Sequence, residues 1–329
     1  MLIDNHSRPI NYLRLAVTDR CNLRCFYCMP EEGIHYLPKK ELLTFEEIER
    51  LVRLLAQMGI TKIRMTGGEP FVRNDLMKLL ETIVGISGIK DVHLTTNGVL
   101  TGPYVGALKK LGIASVNLSL DTLDRDRFKM ITRRDEFGPV MDTFHSLIEH
   151  GIPLKINAVV MQGKNEIDIL PLVMLTRDYP VSVRFIEEMP FNGVGVHYPV
   201  LHWTYKKILE HIEAFHPGIQ KVPDPKHSTA YHYKIPGHVG DIGIIAAFSR
   251  TFCGTCNRIR LTAQGELKTC LYDQGVLNIK DMLRSEKTDH EIREAFLGAF
   301  SGRPKDGFEA EARRGDQLPV HESMSTIGG

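Results

Sequence analysis

No stretch of this 329-residue chain stays apolar for the roughly 18 residues that a membrane span requires. Nor does one sign of charge prevail. The 41 Lys+Arg balance 40 Asp+Glu to a formal +1, which excludes a generally basic coat for nucleic acid. The opening residues MLIDNHSRPI lack the apolar core of an export signal, so the expected compartment is the cytoplasm. G-x4-G-K-[ST] is missing, so no P-loop is available to hold a nucleotide. Gly193-x-Gly195 lacks the third glycine of a dinucleotide fingerprint, and no H-E-x-x-H occurs. The histidines from His197 to His238 never fall at metal-ligand spacing. What remains is ordinary globular composition, 43% hydrophobic and 25% charged, on a chain long enough for a large core.

From residue 11 to about 190, short β-branched runs alternate with helical stretches. The runs are Tyr12–Thr18, Lys62–Thr66, Asp91–Thr95, Ser115–Ser119, Leu154–Val160 and Val181–Ile186. In the first helical stretch Phe45, Ile48, Leu51, Val52 and Leu55 recur at helical spacing, and Thr44 with Glu47 forms a capping-box signature. Six strand–helix units in series predict parallel strands with right-handed crossovers, and the count suits a partial (β/α)6 barrel of TIM type. Polar residues cluster where the runs end: Thr18-Asp19-Arg20, Thr66-Gly67-Gly68-Glu69, Thr95-Thr96-Asn97, Ser119-Leu120-Asp121 and Glu187-Glu188. In parallel α/β architectures that edge carries the site. Glu69, Asp121 and Glu187 suit either acid–base work or the positioning of ribose and amine groups.

The rhythm changes near residue 190. The expected division is a barrel over 1–190, a C-terminal α+β cap over 191–301 and a mobile polar tail over 302–329. Within the cap, a helix is expected over Trp203–Phe215 and strands near Ile242–Phe248, Arg258–Thr262 and Glu266–Cys270. The last two are joined by a hairpin turn at Gln264-Gly265. The histidine-rich stretch 192–238 carries no recognisable chemistry.

The six cysteines fall into two trios. Cys21, Cys25 and Cys28 make C-x3-C-x2-C just past the first strand, and Cys253, Cys256 and Cys270 make C-x2-C-x13-C around the hairpin. A long chain without an export signal does not use such cysteines as disulfides. Structural zinc wants four closed ligands, whereas each trio supplies three, although His232 or His238 is available to complete the second. Iron–sulfur clusters take cysteine thiolates, and a [4Fe–4S] cube on three of them keeps one iron open.

With these motifs in view the chain resembles a known family. C-x3-C-x2-C after the first strand and Gly67-Gly68-Glu69-Pro70 after the second are hallmarks of the radical S-adenosylmethionine (SAM) superfamily. Thr18-Asp19-Arg20-Cys21-Asn22, Tyr27-Cys28-Met29-Pro30, Cys253 to Thr262, Cys270-Leu271 and the terminal Gly328-Gly329 resemble the GTP 3′,8-cyclases of molybdenum cofactor biosynthesis. The resemblance runs from residue 10 to 329. It implies one [4Fe–4S] cluster on Cys21, Cys25 and Cys28 that chelates SAM, with Tyr27, Gly68, Ser119 and Met189 touching that cofactor. It implies a second cluster on Cys253, Cys256 and Cys270 that meets the guanine base of GTP. Arg14, Arg64, Thr95, Lys155, Arg258 and Arg260 are implied as further GTP contacts, and Gly328 and Gly329 as a tail that assists radical generation.

Strand geometry gives the arginines independent meaning. Arg258 and Arg260 are two apart and share a strand face, as do Arg14 with Tyr12, Arg64 with Lys62, and Lys155 with Asn157. Arginine forks match phosphate oxygens in bidentate geometry. The resemblance further implies an external electron donor of the flavodoxin or ferredoxin kind, a next enzyme that forms the pyranopterin, a homodimer, and no nucleic-acid or membrane partner. Two other readings stay open: a radical SAM enzyme whose second cluster serves a peptide substrate, and a zinc-binding interaction protein.

Overall fold

The computed structural model describes residues 2–191, 200–314 and 322–328. Its strands, in chain order, are β1 (Leu2–Ile3), β2 (Pro9–Ile10), β3 (Tyr12–Ala16), β4 (Lys62–Thr66), β5 (Asp91–Thr96), β6 (Ser115–Ser119), β7 (Leu154–Val160) and β8 (Val181–Glu187). There follow β9 (Gln220–Lys221), β10 (Ala230–Lys234), β11 (Asp241–Ile245), β12 (Arg258–Leu261), β13 (Glu266–Lys268) and β14 (Leu277–Asn278). The six runs anticipated from the sequence are β3 to β8. The first is shorter than expected. The backbone of Val17 already reaches across to Thr66 O, and Thr18 O is taken by the Gly68 N–H.

The chain divides into two compact units: 1–22, 34–94 and 253–329 form the first, and 23–33 and 95–252 the second. In the first, the strand order is β14-β13-β12-β3-β4-β5. β3, β4 and β5 run parallel, and β12 joins them parallel to β3. β12 and β13 form the anticipated antiparallel hairpin. Its turn needs Gly265, whose φ is +84° and whose absent Cβ would fall 2.6 Å from Lys280 Cβ. In the second unit, β6, β7 and β8 are parallel, β11 continues them parallel to β8, and β10 and β9 close the edge antiparallel.

Along the parallel strands an apolar, inaccessible set of side chains alternates with polar ones such as Arg14, Arg64, Asn117 and Lys155. Leu13, Leu15, Ile63, Met65 and Leu94 are inaccessible in the first unit, as are Val116, Leu118, Ile156, Val183 and Phe185 in the second. The helix Phe45–Met58 starts at the full capping box of Thr44 and Glu47. It ends at Gly59 in the left-handed region, where a side chain would be strained. The helix Tyr205–Phe215 begins two residues later than the sequence suggested, because Thr204 caps it through Lys207 N.

Residues 302–329 were expected to have few anchors, and the described part has several. Arg303 is 2% exposed, Ala310 and Ile327 are each 1% exposed, and Asp306 caps the helix Gly307–Ala312. Lys268, wholly buried on β13, pairs with Glu322 at 2.6 Å. A polar sequence concealed the charged anchors Arg303 and Glu322 because they are paired with groups distant in the chain. Among the described residues, no helix is long and apolar enough to cross a membrane.

Leu15→Ala removes a fully buried side chain from β3. The expected cost is about 2–5 kcal/mol of unfolding free energy, read by urea denaturation.

Candidate functional site: two thiol trios and an arginine row

The unit boundary falls inside the Cys21–Cys28 loop, between Asn22 and Leu23. On the first unit's side, the segment leading into Cys21 is stitched to the Gly-Gly turn after β4. Gly68 N–H donates to Thr18 O at 2.9 Å, and Glu69 N–H donates to Arg20 O at 2.8 Å. A Cβ on Gly67 would lie 2.6 Å from Thr18 O, and one on Gly68 would overlap the Arg20 carbonyl oxygen. Both glycines are therefore required for this contact, before any ligand is considered.

On the second unit's side, Cys28 N–H and Met29 N–H both donate to Cys25 O, at 2.9 and 3.0 Å, closing a tight turn. Tyr27 projects from that turn and donates its phenol to Asp121 Oδ2 at 2.8 Å. Burial raises the Tyr27 pKa well above the usual phenol value, and the neighbouring charges of Asp121, Cys25 and Cys28 add to the rise. Asp121 also accepts from Val159 N–H at 2.8 Å; burial, only partly offset by these hydrogen bonds, lifts its carboxyl to about 6. Ser119 ends β6, and Met189 follows β8, both half-buried. Glu187 is fully occupied structurally: its oxygens accept from Tyr205 N–H, Ser249 N–H and Ser249 Oγ, each at 2.8 Å.

The second trio lies entirely within the first unit. Cys256 N–H donates to Cys253 O at 3.1 Å, and Cys270 N–H donates to Asp273 Oδ2 at 2.8 Å. Burial pushes the Cys253 thiol up and the Cys270 thiol up to about 12. Burial acts on Cys256 too, but Arg258 and Arg303 more than reverse it and leave that thiol at about 6. Cys253 and Cys256 add a smaller electrostatic contribution to the rise at Cys270. This donor set fits an iron–sulfur cluster: thiolate sulfur supplied by three cysteines, and a cationic side chain already donating to one sulfur. The histidines considered as a fourth zinc ligand belong to the second unit and bond there, His232 Nε2 with Ser228 Oγ at 3.1 Å and His238 Nδ1 with Thr176 Oγ1 at 2.8 Å.

Beside the second trio, strand register assembles the arginines. Arg260 on β12 stands opposite Arg14 on β3, which stands opposite Arg64 on β4. Adjacent strands are about 4.8 Å apart, so three guanidinium stems occupy one row on one face. Arg258, Tyr12 and Lys62 form the row beside it. Burial and the cations Arg260, Arg64 and Arg258 hold Arg14 well below the usual arginine pKa, and burial with Arg258 lowers Arg260 to about 10. Tyr12 is a site residue that sequence reasoning did not single out. Arg64 Nε donates to its phenol oxygen at 2.6 Å, and although burial raises the phenol's pKa, Arg64 and Arg14 pull it down to about 7. The only sequence signal was its shared strand face with Arg14. Lys155 on β7 and Thr95 on β5 lie in the second unit and are half-buried. Arg260 Nη1 also donates to Gly328 O at 2.5 Å, and a Cβ on Gly328, at φ +79°, would fall 2.5 Å from Thr66 Oγ1. Gly329 lies outside the described residues.

This assembly of parallel strands, Gly-Gly turn and cysteine loop defines a radical SAM protein: residues 15–175 match the radical SAM superfamily, and 181–308 match the family described as Molybdenum Cofactor Synthesis C. The fold is shared with Streptococcus suis SuiB bound to S-adenosylmethionine. That likeness has a TM-score of 0.58 at 18% identity and covers 87% of this chain and 68% of that one. A curated relative named GTP 3′,8-cyclase, from Alkaliphilus oremlandii, is 40% identical over 99% of both chains. Molybdenum cofactor biosynthesis protein 1 of Mus musculus is 44% identical over 92% of this chain and 48% of its own, so the chain spans about half the length of such relatives. The chain belongs to the GTP 3′,8-cyclase family of radical SAM proteins.

Asp121 generates a pH test. Its folded-state pKa of about 6 exceeds the unfolded value of about 3.8, so the stability it contributes is fully present below about pH 4 and is lost as pH rises through 6. The difference is about 3 kcal/mol at most. Asp121→Asn is expected to flatten the fall in unfolding free energy between pH 4 and 7 relative to the parent protein, measured by urea denaturation across that range.

Proposed function

We propose that this protein is a GTP 3′,8-cyclase, converting GTP to (8S)-3′,8-cyclo-7,8-dihydroguanosine 5′-triphosphate at the entry to molybdenum cofactor biosynthesis. The observation that carries the reading is the in-register row Arg260–Arg14–Arg64, with Arg258 next to it, on a strand that starts two residues after Cys256. Like charges at that spacing repel, and a triphosphate bearing about four negative charges is the kind of ligand that relieves them. The peptide and zinc readings give no reason for such a row.

Cys21, Cys25 and Cys28 would hold one [4Fe–4S] cluster, and Cys253, Cys256 and Cys270 the other. When bound, the clusters and SAM supply one-electron chemistry that the polypeptide lacks. The chain's own residues bind and orient. Gly68 presents bare backbone to SAM, and Tyr27, Ser119 and Met189 line the same cofactor. Arg14, Arg64, Thr95, Lys155, Arg258 and Arg260 hold GTP so that its ribose and base meet, and fixed positioning supplies much of the rate. Gly328 and Gly329 place the chain end at the substrate, a role supported by the bond from Arg260 to Gly328 O. A reduced flavodoxin- or ferredoxin-like donor supplies electrons, the product passes to the pyranopterin-forming enzyme, and the protein works as a homodimer in the cytoplasm.

Anaerobically reconstituted protein given SAM, GTP and a reductant is expected to yield 5′-deoxyadenosine and a cyclised nucleotide. Peptide-dependent SAM cleavage without any need for GTP would defeat the reading. Arg258→Ala with Arg260→Ala is expected to weaken GTP binding at least a hundredfold, by equilibrium dialysis, while both clusters remain. Removing Gly328 and Gly329 should lower turnover without changing iron content or the melting temperature.

A further inference from the structure

Two buried arginines that the substrate reading leaves unused grip the second cysteine loop. Arg8 is 6% exposed and Arg303 2%. They share one carboxylate: Arg8 Nε donates to Asp4 Oδ2 at 2.7 Å, and Arg303 Nη1 to the same oxygen at 3.1 Å. Arg8 Nη1 then donates to Cys253 O at 3.1 Å. Arg303 reaches further. Its Nε donates to Thr269 O, in the peptide linked to Cys270, at 2.9 Å, and its Nη1 to Cys256 O at 3.1 Å. Its Nη2 donates to Arg258 O at 2.7 Å and to Cys256 Sγ at 3.2 Å. Three side chains thus sum to +1 in a buried place, and the remaining guanidinium edge faces sulfur. Burial of a net cation is costly unless an anion completes it, and a thiolate on a cluster is such an anion.

We infer that Arg303 is a positioning residue for the second cluster: it fixes the Cys256 thiolate and, by donating to that sulfur, holds the cluster's reduction potential up. The physical reason is general. A hydrogen bond to a cluster sulfur stabilises the reduced form, which carries the extra negative charge, more than the oxidised one. Arg303 also bonds the carbonyl of Arg258, so one side chain ties the thiolate to the strand that bears Arg258 and Arg260. The inference rests on the four-iron reading of the second trio.

The test uses the full-length, anaerobically reconstituted chain with Cys21, Cys25 and Cys28 changed to Ala, so that only the second cluster responds. Iron content and an EPR-monitored redox titration are compared for Arg303, Arg303→Met and Arg303→Lys. Arg303→Met is expected to keep about four irons while the reduced-to-oxidised ratio at the parent midpoint falls about tenfold, a shift of about 59 mV for one electron. Lysine keeps the charge without the fork and should recover part of the shift. Iron retained at an unchanged midpoint in Arg303→Met overturns the inference. Should that variant lose its iron, Arg303→Lys decides: a lowered midpoint supports it and a parental midpoint overturns it. Iron lost from both variants with an unchanged far-UV spectrum supports the positioning role, whereas loss of the fold in both makes Arg303 a mere buttress and overturns it. Zinc, or no iron, in the parent trio would instead defeat the reading of the site itself.

Discussion

Guanidinium groups on neighbouring parallel strands repel one another, and the first unit is arranged around that fact. Arg260, Arg14 and Arg64 stand in register on β12, β3 and β4, with Arg258 one row away. Only a strand pairing that brings residue 258 beside residue 12 puts them there. Burial, and after it the neighbouring guanidiniums, depress the basicity of Arg14 and Arg260, while Arg64 and Arg14 draw the Tyr12 phenol down to about 7 against the effect of its burial. Folding alone gains little from such a row. The strand pairing overcomes that repulsion, and under the function proposed above a polyanion would complete the row.

The same economy governs both cysteine loops. The first lies outside helix and strand and the second includes a 3-10 turn at Cys253–Thr255, and each is fixed by hydrogen bonds to neighbouring segments. The approach to Cys21 is laced to the Gly67-Gly68 turn, where the absence of side chains permits the contact. The Cys253–Cys256 loop is held through its carbonyls by Arg8 and Arg303, themselves paired with Asp4. Rigid support of this kind matters because ligand sulfurs must stay within a few tenths of an ångström of the positions a cluster dictates.

How much of this the sequence disclosed depends on the range of the interaction. β4, β6 and β7 matched their apolar runs to the residue, because a buried parallel strand is a local composition signal. The cysteine trios, the Gly-Gly turn and each arginine were legible individually, by spacing and by family resemblance. The arginine row was not. Strand register between residues 260, 14 and 64 is decided by tertiary packing, and nothing in the runs states that β12 lies beside β3. Tyr12 escaped because its role depends on Arg64, fifty-two positions away. Asp4, Arg8 and Arg303 escaped for the same reason, since Asp4 and Arg303 are 299 positions apart. In a polar segment such as SGRPKDGF, a buried arginine is indistinguishable from a solvated one.

That blind spot fell on the part of the chain with the most to say. The stretch after residue 302 reads as solvent-facing, yet three of its groups bond site elements. Arg303 reaches the Cys256 sulfur, Glu322 neutralises Lys268 inside the β13 strand, and Gly328 offers its carbonyl to Arg260. Each of the three joins a charge to a partner of opposite or dipolar character in a buried place, where an ion pair broken on one side costs far more than it contributes when whole. These contacts tie the C-terminal segment to the cysteine hairpin and to the arginine strand within the first unit. Charge balance on β12 and β13 is thus set by groups distant in the chain, Glu322 for Lys268 and the Gly328 carbonyl for Arg260.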